Sequence, residues 1–161
     1  MATRAKATGK KAAKKKAEEP ILLVGDVGGT STRLALHKPG KRAPEVSAIL
    51  QSRDFDGLEP IVKGFLAPLK ARPAAAVFGV AGPVQNGVAR ITNLPWKLDE
   101  RALARALRIP VVRLANDMVV AARGCLEMKA SELVLLTDKA PAKKGAHLGV
   151  CLLYTSDAAD E

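Results

Sequence analysis

Aromatic residues are scarce in this chain: one Trp, one Tyr and three Phe make up 3% of its 161 residues. Single-stranded nucleic acid is commonly gripped by stacking bases on rings, so this scarcity argues against a nucleic-acid partner. Cysteine is scarcer still, and Cys125 and Cys151 match neither a disulfide framework nor the spacing of a metal site. Their rarity fits a reducing compartment. No apolar run approaches the roughly 18 residues of a membrane span, and no signal-peptide core precedes Ile21. A cytoplasmic protein without a membrane partner is expected. Two familiar nucleotide signatures are absent as well. No Gly-Lys-Ser/Thr closes a P-loop, and no glycines fall in the G-x-G-x-x-G spacing that opens a Rossmann helix.

What remains is one domain's worth of chain, 48% hydrophobic, enough to bury a sizeable core. The net charge of +10 is unevenly spread. Met1 to Pro20 holds Arg4, Lys6, Lys10, Lys11, Lys14, Lys15 and Lys16 against Glu18 and Glu19, with almost nothing to bury, and is expected to be a disordered arm. The positive balance of the body suits a polyanionic substrate such as ATP, and a solvated surface explains it equally well.

The most informative stretch runs from Ile21 to Leu36. An apolar run, Ile21 to Val24, enters it and an alternating run, Thr32 to Leu36, leaves it, which predicts two strands joined by a hairpin. Gly28 and Gly29 at the reversal permit positive φ and put no Cβ in the way, so that successive N–H groups of Gly25 to Ser31 can converge on an anion. Thr30, Ser31 and Arg33 add hydroxyl and guanidinium donors suited to phosphate oxygens. On its own the stretch is equally an ordinary glycine-rich turn. Asp26 favours the phosphate cradle, because a carboxylate among phosphate donors makes sense when a divalent cation or its water lies between them.

Downstream, Glu45 to Phe55 alternates as a third strand. Leu58, Ile61, Val62, Phe65, Leu66 and Leu69 then repeat at helical spacing, with Pro60 in the first turn. Ala74 to Val80 reads as a buried strand and Asn86-Gly87 as a hairpin turn. Asn93 and Trp96 follow, the first a natural turn former and the second a core or lid anchor. Asp99 is placed to cap a helix over Glu100 to Leu107. Val111 to Ala115 is a second buried strand, ending in Asn116-Asp117 just before helical spacing from Met118 to Met128. A carboxylate at a strand tip and helix N-terminus is a common ligand position in α/β folds, although capping alone would also account for it.

Val24-Gly25-Asp26-Val27-Gly28-Gly29-Thr30 resembles the first phosphate motif of the actin-like ATPase superfamily, in the form typical of bacterial glucokinases. The Gly79 to Val84 segment, the Asn93-x-x-Trp96 pattern and the strand, Asn116-Asp117, helix arrangement are similar to the same family. The resemblance implies an α/β, ribonuclease-H-like N-terminal lobe with a mixed sheet flanked by helices, its first three strands an antiparallel meander. It implies transfer of the γ-phosphoryl group of ATP to the 6-hydroxyl of glucose. Asp117 would be the catalytic base, with Asn116 and Asn93 beside it at the sugar. The Gly25 to Ser31 stretch and Arg33 would hold the ATP phosphates, and Asp26 would reach Mg2+ through water. The resemblance allows a homodimer of the full-length enzyme. Two other readings are a sugar kinase of the related repressor/ORF/kinase group, and a non-catalytic actin-like lobe whose basic arm binds nucleic acid.

In glucokinases a strand such as Ala146 to Val150 leads into a second glycine-rich loop and a Glu-x-x-His sugar motif, and neither is present. Cys151 to Glu161 resembles instead a reading frame of a transposon-end sequencing adaptor. The expectation is therefore a natural lobe over 21–150, a non-native tail over 151–161, and no tight ATP binding or glucose phosphorylation by these residues alone.

Overall fold

A computed structural model describes residues 19–134 and 136. Most of the basic arm, the expected strand Ala146 to Val150 and the tail lie outside the described residues.

Two runs of alternating side chains form the opening hairpin, β1 (Leu22–Val27) and β2 (Ser31–His37), and β3 (Val46–Gln51) adds to it. The 3-10 turn Ser52–Asp54 leads to helix α1 (Leu58–Leu66). Then come β4 (Ala75–Val80), the short strands β5 (Val84–Gln85), β6 (Val88–Arg90) and β7 (Lys97–Asp99), helix α2 (Glu100–Leu107), β8 (Val111–Asn116) and helix α3 (Asp117–Cys125). The main sheet has the order β3-β2-β1-β4-β8. Strands β1, β2 and β3 are antiparallel neighbours, while β1, β4 and β8 run parallel, their crossovers carried by α1 and α2. The expected meander and mixed sheet are both present.

The sheet's two faces differ sharply. Leu23, Val27, Leu34, Leu36, Phe78, Val80, Val112 and Leu114 point inward and form one cluster with Leu58, Ile61, Val62 and Phe65 of α1 and Leu103 of α2. On the other face Val24, Ile49, Val77 and Val111 are exposed among the described residues. Helix α3 lies on that second face, where a Cβ on Gly79 would sit 3.5 Å from Val120.

Local chemistry accounts for the boundaries. Asp99 caps α2 as expected, its Oδ1 accepting from the Ala102 amide at 2.8 Å. Asn86 and Gly87 hold φ of 52° and 76°, the left-handed pair that a two-residue hairpin requires. The third strand stops at Gln51, short of the expected Phe55, because the chain turns at Ser52 into a 3-10 segment. Strand β7 was not foreseen: three residues are too few to show a period. Helix α3 is shorter than the expected Met118 to Met128, and its apolar positions Val119 and Val120 are exposed.

Beyond α3 the chain is pinned back to the β2–β3 loop. Arg42 donates from Nη1 to both Glu132 carboxylate oxygens, at 2.6 and 2.8 Å, and from Nη2 to the Glu127 carbonyl at 2.7 Å. The hydrogen bond from Arg42 holds the Glu132 carboxyl below its ordinary range, helped by the Lys129 amide. A lowered carboxylate contributes stability above its unfolded-state value and loses it as pH falls through its folded-state value. Thermal melts of Arg42→Ala and the parent should therefore differ at neutral pH and converge on acidification below about pH 4. A difference that persists unchanged in acid would contradict the assignment.

Candidate functional site

The loop between β1 and β2 is held from behind. The Gly28 amide donates to the Ser31 carbonyl at 3.0 Å, the Gly28 carbonyl accepts from the Ser52 hydroxyl at 2.8 Å, and the Thr30 carbonyl accepts from the Ser52 amide at 2.8 Å. Among the described residues the Gly29 and Thr30 amides have no protein partner. Adjacent backbone donors without partners at the rim of a glycine loop are the kind of group that anions engage. The glycines serve it by close approach. The φ values above +20° among described glycines belong to Gly40 and Gly87, so the expected positive φ at Gly28 and Gly29 is not used. A Cβ on Gly29 would instead meet the Thr92 carbonyl at 3.1 Å and the Asn93 Cβ at 3.5 Å.

Each expected residue has a definite place. Val27 is fully buried in the core, so its contribution to the loop is backbone, and its carbonyl accepts from the Ala81 amide at 3.0 Å. Thr30 is exposed and Ser31 half-buried. Asp26 and Arg33 are cross-strand partners on the open face of the sheet, with Arg33 Nη1 donating to Asp26 Oδ2 at 3.2 Å. The guanidinium thus sits on the carboxylate rather than in the turn. Both groups are well exposed, and such a pair exchanges readily for a better-placed ligand.

At the tip of β8, Asn116 caps α3, its Oδ1 accepting from the Met118 and Val119 amides at 3.0 and 3.3 Å. Its Nδ2 donates to the Gly82 carbonyl at 3.1 Å and to Asp117 Oδ1 at 2.9 Å. Asp117 Oδ1 also accepts from its neighbour Met118's amide at 2.8 Å. Oδ1 is thereby anchored twice, while Oδ2 has no partner among the described residues. The cap of α3 therefore belongs to Asn116, and Asp117 keeps one carboxylate oxygen without a partner among the described residues.

The two aspartates share a cleft. Asp26 and Asp117 line one cleft of about 290 Å³ together with Gly25, Gly79 and Met118. Parallel strands β1, β4 and β8 all end at this edge, the usual ligand edge of an α/β sheet. Gly79 leaves the floor open, since a Cβ there would point toward Val120 and Asp117. Asn93, exposed and at φ 64°, borders the loop at Gly29, and the cleft lining does not extend to it. A roomier concavity of about 640 Å³, with Lys38, Lys70 and Arg72 on its walls, lies at the opposite end of the sheet beside Ile21 and Ala74. It holds none of the expected site residues.

A family model described as Glucokinase matches residues 23–153, past the boundary expected at Val150. The chain belongs to the glucokinase family. Among curated relatives it is 39% identical over 122 residues to the glucokinase of Nostoc sp. (strain PCC 7120), covering 72% of this chain and 35% of that protein. The glucokinase of Ralstonia nicotianae is 31% identical over 149 residues, covering 84% and 43%. The chain thus spans about a third to two-fifths of the length of these family members. Among solved structures, a glucokinase from an Antarctic psychrotroph superposes with a TM-score of 0.68 at 24% identity, over 76% of this chain and 40% of that one. The glucokinase of Balamuthia mandrillaris in complex with glucose gives 0.56 at 21% identity, over 75% and 36%. These likenesses bear out the actin-like lobe inferred from the phosphate motif.

Ser52 and Thr32 carry no sequence signal for a role at the loop, and Gly79 and Gly82 show one only through the Gly79 to Val84 segment that resembles the family. Thr32 and Ser52 are the buried polar residues of the described core, yet in sequence they look like ordinary strand residues. Gly82 lies so close to β6 that a Cβ would stand 2.2 Å from the Arg90 carbonyl, and its own carbonyl holds Asn116.

Proposed function

We propose that this chain is the phosphate-loop lobe of an ATP-dependent glucokinase that transfers the γ-phosphoryl group of ATP to the 6-hydroxyl of glucose. The observation that carries the reading is the shared cleft of Asp26 and Asp117 at the carboxyl edge of the sheet. The open Gly29 and Thr30 amides would receive phosphate oxygens, with the Thr30 and Ser31 hydroxyls and Arg33 as further donors. Mg2+ accompanies ATP as part of the substrate, and such an ion takes one or two carboxylates with phosphates and waters completing its shell. Asp26, exposed and paired only with Arg33, fits that role through water.

Asp117 Oδ2 would accept the proton of the sugar hydroxyl as the new P–O bond forms, while the anchors on Oδ1 fix the carboxylate plane. Phosphoryl transfer depends on such alignment and on charge placed in advance. Asn116 would offer its Nδ2 hydrogen, now on Asp117, to a neighbouring sugar hydroxyl, and Asn93 would close the sugar side near the loop. Domain closure over both substrates would exclude water, with the second lobe supplying the adenosine site. Among the described residues no helix is long and apolar enough to cross a membrane. A cytoplasmic enzyme is the reading that accords with its small-molecule substrates.

The test uses a protein of the relatives' full length that contains this lobe. Mixed with MgATP and glucose it should yield ADP and glucose 6-phosphate in equal amounts, with turnover dependent on the sugar. ATP hydrolysis indifferent to glucose, or phosphorylation of a different hexose only, would overturn the proposal.

A further inference from the structure

We infer that Ser52, with Thr32 behind it, is a positioning residue that aims the phosphate loop. Ser52 lies outside the loop in sequence, at the end of β3, and is fully buried, as is Thr32. Its hydroxyl carries a single hydrogen, and that hydrogen goes to the Gly28 carbonyl, an acceptor only, at 2.8 Å. The Thr32 hydroxyl, 3.0 Å away, must then be the donor of the Thr32–Ser52 bond. The result is a directed relay from Thr32 to Ser52 to the Gly28 carbonyl.

The carbonyl of Gly28 and the amide of Gly29 belong to one peptide unit. In a planar trans peptide these two groups point in opposite directions. Drawing the carbonyl back into the core therefore turns the Gly29 N–H outward, toward the face where an anion would bind. The Ser52 amide also holds the Thr30 carbonyl at 2.8 Å, which turns the Ser31 N–H of that peptide unit the other way. One residue thus fixes two of the loop's carbonyls from behind. Glycines at 28 and 29 leave the loop many other conformations, so an unheld loop would have to be ordered by the ligand. Donors fixed in place beforehand avoid that cost.

This inference rests on the phosphate reading of the loop, and the test separates the two. The full 161-residue chain is titrated with MgATP at millimolar concentration, following the backbone amide signals by nitrogen-15 NMR, for the parent, Ser52→Ala and Thr32→Val. In the parent the Gly29 and Thr30 signals should shift saturably; their silence would defeat the phosphate reading itself. In Ser52→Ala MgATP affinity should fall about five- to tenfold, the effect of one hydrogen bond. Thr32→Val keeps the Ser52–Gly28 bond and should hold affinity within about twofold of the parent while still lowering stability. If Ser52→Ala binds as the parent does, or if both variants weaken binding equally, Ser52 is a core residue only and the inference fails. Should Ser52→Ala not fold, Ser52→Cys, which keeps the size and weakens the donor, takes its place with an intermediate loss expected and parental affinity overturning the idea.

Discussion

Asp117→Asn in the full-length protein should lower the rate of glucose phosphorylation by about 10²- to 10⁴-fold, the usual contribution of a general base. The substitution is nearly isosteric, and the new side chain can still accept the Met118 amide through its oxygen, as Oδ1 does now. That contact turns the amide nitrogen toward the position of Oδ2, where it can donate but cannot take a proton. The fold should survive, because the cap of α3 belongs to Asn116 and not to Asp117. Steady-state kinetics should show the loss in kcat with the KM for ATP little changed, and the thermal melt should match that of the parent. A variant retaining more than about a tenth of the parental kcat would mean that the sugar hydroxyl loses its proton elsewhere.

Phe78→Ala should cost about 3–5 kcal/mol of stability, the range for emptying a large aromatic site in a packed core. Phe78 lies in β4 between β1 and β8, fully buried, and is the largest of the fully buried side chains among the described residues. Its ring also occupies the space under β1, where a Cβ on Gly25 would meet Phe78 Cδ1 at 2.6 Å. The glycine at 25 is thus required by the ring beneath it. Small domains have only about 5–15 kcal/mol in total, so a urea titration should show a large fall in the midpoint, or no cooperative transition. A loss under about 1 kcal/mol would mean that the core closes over the vacancy.

The sheet was legible in the sequence because its strands are long enough to show a pattern, alternating in β2 and largely apolar in β1, β4 and β8. β1, β2, β4 and β8 each run six or seven residues, and their inward positions are mostly Leu, Val, Phe and Ala, with Gly25 and Thr32 as exceptions. Strand β7, three residues beside a turn at Asn93, carries no such signal. The carboxylates were legible for a different reason. Asp26 and Asp117 each sit where an apolar run stops, and parallel strands bring such ends to one edge. What sequence could not show is which hydrogen bonds a residue makes with distant partners. Ser52 reaches Gly28 across 24 positions and Asn116 reaches Gly82 across 34. Neither pairing leaves a local pattern. Arg33 lies in β2 just after the loop, and its cross-strand register with Asp26 decides where the guanidinium rests.

The measurement that bears most directly on the whole account is the site of MgATP binding on the unmodified chain, mapped residue by residue from its amide signals. The account predicts that Gly29 and Thr30 respond first and most strongly, with Asp26 and Asp117 close behind. If the largest changes fall instead on Lys38, Lys70 and Arg72 at the opposite end of the sheet, ATP is drawn only by charge, and the phosphate loop and its two aspartates are not the site.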